Sequence, residues 1–126
     1  TEACRTAKYR IVMLHCPPTW TLDYETPHMK ALLDGLLVCW DKEKKPEVLT
    51  HLWLTGHKHE SWFRERLGIN ELQICGPHHA GGGLGCATVE IGPEAIRLRD
   101  WHVRRNELAY DVTITPDGKA TKTVGK

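Results

Sequence analysis

The chain reads as an α/β protein, a strand–helix–strand unit followed by mainly antiparallel strands. Three observations point there. Residues 10–15 (RIVMLH) and 48–55 are short runs apolar at nearly every position, as strands covered on both faces are. Apolar residues recur at helical spacing between them. After residue 60, β-branched and aromatic runs alternate with glycine- and proline-bearing turns.

Taken in order, the first run stops at Pro17-Pro18, and residues 19–25 form a loop. Thr26-Pro27 supplies a capping oxygen followed by proline at the first helical position. Met29, Leu32, Leu33, Leu36, Leu37 and Trp40 then mark one face of a helix, with Gly35 costing about 1 kcal/mol relative to alanine. The charged turn at 41–46 ends it, and 48–55 follows as a second strand. A long connection between two such strands makes them parallel neighbours. Residues 61–67 read as a helical turn. Strands are expected at 71–75, 87–91, 95–103 and 107–115, with Gly92-Pro93 and Asp117-Gly118 as the clearest turns. Residues 116–126 are a polar tail or edge hairpin.

A length of 126 residues suits one domain or a piece of a larger one, and a net charge of +1 makes no electrostatic case for nucleic acid or membrane. No apolar run approaches the ~18 residues of a membrane span. Five cysteines without a CxxC pair read as buried free thiols of a cytoplasmic protein. The opening "TEACRTAKYRIVMLH" lacks an initiator methionine and enters a strand almost at once, which reads as a start inside a longer protein.

Eight histidines are many for this length, and their placement carries the functional reading. Ligands of open parallel sheets gather beyond the carboxyl ends of the strands. His15 ends the first strand, and His57 and His59 follow the second in "LTGHKHE". Topology therefore brings three imidazoles together, and imidazole is the commonest metal ligand. Gly56 is expected to allow the tight turn before them.

"IVMLHCPP" followed by "LWLTGHKHE" resembles the last two metal motifs of the calcineurin-like metallophosphoesterases. "LQICGPHHAGGGLGCATVEIGPEAIRL" extends the likeness, which spans roughly residues 10–103. The family's earlier D-x-H, G-D-x-x-D and G-N-H-[DE] motifs do not precede these two in the chain, and Asp23 and Asp34 do not replace them. The resemblance implies that residues 1–115 are the C-terminal portion of such a domain, part of a β-sandwich flanked by helices. It implies that His15 and His57 bind one metal ion and His59 another, so that two divalent ions (Mn, Fe or Zn) share a site. In such a site, with ions ~3.5–4 Å apart, a bridging hydroxide attacks a phosphoester. The chain alone would be inactive, with the missing N-terminal half and a phosphoester substrate as partners. A second copy could cover the sheet edge left by half a domain. The competing functions are a scaffold or binding module of the same fold, and a nuclease subunit, the near-neutral charge weighing against nucleic acid.

The remaining candidates have plainer readings. His78 and His79, beside Gly81–Gly83, could touch substrate or supply supporting bonds to the ligands, against the favoured reading of an exposed loop. Cys16 invites a Cys/His nucleophile, but a small buried thiol is favoured. His28 and His51 read as structural or solvated. "RLRDWHVRR" around His102 could clamp nucleic acid, although alternation turns Ile96 and Leu98 inward and leaves Arg97 and Arg99 on a solvated face. Glu60 and Trp62 could border the site.

Overall fold

The computed structural model describes residues 6–17, 50–66, 69–74 and 84–124. They form eight strands and one 3-10 turn: β1 (Ile11–Leu14), β2 (Leu52–Thr55), β3 (Trp62–Arg66), β4 (Ile69–Gln73), β5 (Gly85–Ile91), β6 (Ile96–His102), the turn Val103–Arg105, β7 (Glu107–Ile114) and β8 (Ala120–Val124). One sheet has the order β1-β2-β4-β3 and the other β5-β6-β7-β8.

The first sheet holds the parallel pair that the apolar runs imply, with Ile11 opposite Leu52 and Leu14 opposite Thr55. β4 joins β2 in parallel as well, where the short spacing after residue 60 pointed to antiparallel neighbours. The reading of 61–67 as a helical turn is also corrected, because Trp62–Arg66 is a strand antiparallel to β4. Two adjacent aromatics explain it: Phe63 enters the core, while Trp62, on the other face, donates its indole N–H to Glu71 at 3.3 Å. Aromatic residues suit this half-buried pleated setting better than a short helical turn. The second sheet is an antiparallel meander.

The apolar layer lies between the sheets. Leu52, Phe63 and Leu72 come from one, and Ile96, Leu98, Val112 and Ile114 from the other. The expected alternation of β6 is seen, since Ile96 and Leu98 are fully buried while Arg97 is exposed. On the outer face Arg97 grips Asp111 through Nε (3.0 Å) and Nη2 (2.7 Å), and Arg99 reaches Glu90 at 2.7 Å. Two of the arginines weighed as a nucleic-acid clamp are thus matched by carboxylates.

These facts correct the expected fold. Among the described residues no α-helical element flanks either sheet, and one face of β2 and β4 is covered by β6 and β7. Two open four-stranded sheets are not the helix-flanked sandwich of the metallophosphoesterases, so the resemblance does not hold at the level of fold. With it go the inferred missing half-domain and the phosphoester partner. The helix expected at 26–40 lies outside the described residues. No helix among those residues is long and apolar enough to cross a membrane.

Buried polar groups fix one end of the sandwich. The β7–β8 turn folds back through Gly118 N–H to Thr115 C=O at 2.8 Å, and Gly118 takes φ 79°, which glycine adopts without steric cost. Asn70 donates to the carbonyls of His51 (3.0 Å) and Gly118 (2.8 Å). His51, 2% exposed, accepts from Arg10 N–H at Nδ1 (3.1 Å) and donates from Nε2 to Pro116 C=O (2.9 Å). The edge of its ring meets Tyr9.

That arrangement needs a neutral imidazole. Burial lowers the His51 pKa and the Arg10 charge lowers it further, against a raising contribution from the bond to Pro116. An unfolded chain takes up this proton near pH ~6.5, whereas the native state refuses it until lower pH. Stability is therefore expected to be flat with pH above that value and to fall below it. Urea melts between about pH 7.5 and pH 5.5 should show a shallower acid-side loss in His51→Gln than in the wild type.

Candidate metal centre

β1 and β2 end side by side, Leu14 opposite Thr55, so the residues that follow leave the sheet together. The pairing continues for one step, as Gly56 N–H donates to His15 C=O at 3.1 Å. The chain then turns tightly around His57, with Lys58 N–H bonded to Gly56 C=O at 3.1 Å. This is a γ-turn of the rare hand, with His57 at φ 80°. His59 is left-handed too, at φ 55°.

The strain thus sits on the histidines, and the role expected of Gly56 is corrected. A Cβ there would meet only His15 C=O, at an ordinary 3.8 Å. Gly56→Ala is expected to change stability by less than about 0.5 kcal/mol, as substitutions away from special features do. At His57 the reverse is expected: glycine in place of alanine should gain about 1 kcal/mol by relieving the left-handed backbone. Urea melts of the three metal-free variants check both statements.

The turn brings His57 Nδ1 to 3.0 Å from His15 Nε2, with the rings edge to face at 89°. Cys16 completes the group: its Sγ and one nitrogen of each histidine all lie within 4.8 Å of one another. His15 and His57 are exposed and Cys16 is half-buried. Two nitrogens bound to one tetrahedral ion at about 2.0–2.1 Å stand about 3.3 Å apart. The His15–His57 separation is within a few tenths of an ångström of that value, so small ring movements suffice to accept an ion.

The site differs from the dinuclear centre expected. Three ligand atoms gather in one spot, and His59, exposed in the same loop, is not among them. Among the described residues this is the one such group, and it contains no carboxylate to bridge a pair of ions. Two divalent metals sharing a hydroxide, and the phosphoester hydrolysis that such a pair performs, have no basis in this arrangement. His78, His79 and His28 lie outside the described residues.

Cys16, weighed as a nucleophile and read as a small buried thiol, is the member of the group that sequence reasoning did not assign to the metal. It is neither fully buried nor remote from other ligands, and Cys86 is exposed, which corrects the expectation of buried thiols for both. The available signal was adjacency: a histidine and a cysteine in succession where a strand ends at a proline can bend toward one point.

A second polar group lies farther along the sandwich. Asp100 is fully buried, and burial pushes its carboxyl above the ordinary range, against the lowering effects of the Ser61 hydroxyl, the His102 charge and the Trp101 amide. On the outer face of the first sheet, buried Glu71 accepts from Thr55 Oγ1 at 3.4 Å and from Trp62.

Comparison with known proteins adds no relative: no family model matches the chain, and neither a curated protein nor a solved structure is significantly similar to it.

Proposed function

We propose that this chain is a metal-binding β-sandwich module in which His15, Cys16 and His57 hold one transition-metal ion of the zinc class. The convergence of two imidazole nitrogens and a thiol at the ends of two parallel strands carries this reading. Thiolate and imidazole are borderline-soft donors, which suit zinc or copper and disfavour magnesium, calcium and manganese. Three protein ligands, two of them exposed, leave a coordination position toward solvent, unlike closed four-ligand structural sites. The left-handed His57 backbone holds its ring beside His15 before any ion arrives, reducing the ordering required on binding.

Thiol alkylation tests this reading. Iodoacetamide with peptide mass analysis should label Cys16 and Cys86 in metal-free protein, and stoichiometric zinc should protect Cys16 alone. Equal labelling of Cys16 with and without zinc would remove the thiolate from the site.

A further inference from the structure

We propose a second cation site between the sheets, in which Asp100 and His102 of β6, with the Ser61 hydroxyl opposite, bind one divalent first-row metal ion. It is separate from the His15–Cys16–His57 group and does not depend on it.

Two neighbouring side chains of β6 are buried with incomplete hydrogen bonding. Asp100 is 0% exposed; the Ser61 hydroxyl and the Trp101 amide approach its carboxylate, but neither oxygen has a well-aligned hydrogen bond. His102, two residues along the same face of β6, has a buried Nδ1 with no hydrogen-bond partner. Burying such groups unmatched is costly, and native proteins rarely do so without a further ligand. A proton on Asp100 would satisfy one oxygen only. A cation answers both, since carboxylate oxygen and imidazole nitrogen each offer it a lone pair.

The surroundings provide room and access. β7 carries an extra residue opposite the Asp100–Trp101 step, where Tyr110 pairs with Asp100 and Leu108 with Trp101. Beside this bulge is a cavity of about 390 Å3, with Ser61 and His102 in its wall and Arg105 and Glu107 among its lining residues. Asp100 itself is fully buried and is not among the lining residues. The opposite charges of Arg105 and Glu107 offset one another. One carboxylate, one hydroxyl and one imidazole make a harder donor set than the thiolate site, and manganese suits it better.

Manganese broadening of amide NMR signals tests the assignment on the unmodified chain. Substoichiometric Mn2+ should broaden Trp101, His102, Ala109 and Tyr110 before distant β8 residues. Asp100→Asn and, separately, His102→Gln should each weaken that broadening at least tenfold on the concentration axis, with the other amide shifts retained. Broadening confined to residues near His15 and His57 would overturn the proposal. So would unchanged β6 and β7 broadening in the two variants. Should Asp100→Asn fail to fold, His102→Gln and the unmodified chain decide the matter.

Discussion

Leu98→Ala is expected to destabilise the protein by about 2–5 kcal/mol, read from urea or thermal unfolding. Leu98 is fully buried in the layer formed by Leu52, Phe63 and Leu72 from one sheet and Ile96, Val112 and Ile114 from the other. Removing its isobutyl group forfeits transfer free energy and opens a cavity that two sheets fixed by backbone pairing close only partly. Thr121→Ala, exposed on edge strand β8, is the matched control and should change stability by no more than about 0.5 kcal/mol. Leu72→Ala probes the same layer from the opposite sheet. Because both changes enlarge one apolar space, their combined cost should differ from the sum by about 0.5 kcal/mol or more. If the sheets did not face each other, Leu98→Ala would cost little more than the control.

The second large effect concerns the metal. An ion that binds only the native state stabilises it by about 4 kcal/mol at a thousandfold excess over its Kd. Wild-type protein should gain that much more from zinc than the variant H15A/C16S/H57A. Each single variant should lose most of the difference, since two remaining ligands hold the ion poorly. His59→Ala is the informative comparison, because His59 shares the loop and the left-handed backbone but lies outside the group. It should keep the wild-type gain. Thermal melts at a series of zinc concentrations, using the same variants without metal as references, separate lost binding from lost stability.

How far these features could be read from residues alone depended on the kind of signal. The parallel pairing of β1 and β2 was legible, because two largely apolar runs separated by a long connection admit few other arrangements. The meeting of His15 and His57 followed from it, through strand direction alone. Trp62–Arg66 was misread because five residues are too short for periodicity to distinguish a strand from a turn, and pairing with β4 decides it. The metallophosphoesterase resemblance rested on two histidine motifs at strand ends, which share local geometry with that family without requiring its layers. Cys16 was set aside since thiols are usually buried, and only the bend after β1 shows it beside two imidazoles. Gly56 received a conformational role that belongs to His57, which no composition rule would assign to a histidine. The environment of Asp100 was hidden for a related reason, as it depends on which residue of the opposite sheet reaches it.

X-ray absorption at the zinc edge of the stoichiometric complex measures the coordination directly. The expected spectrum has a shell of nitrogen or oxygen scatterers at about 2.0–2.1 Å together with one sulfur at about 2.3 Å, and that sulfur is lost in Cys16→Ser. A shell of light atoms alone in the wild-type protein would contradict it.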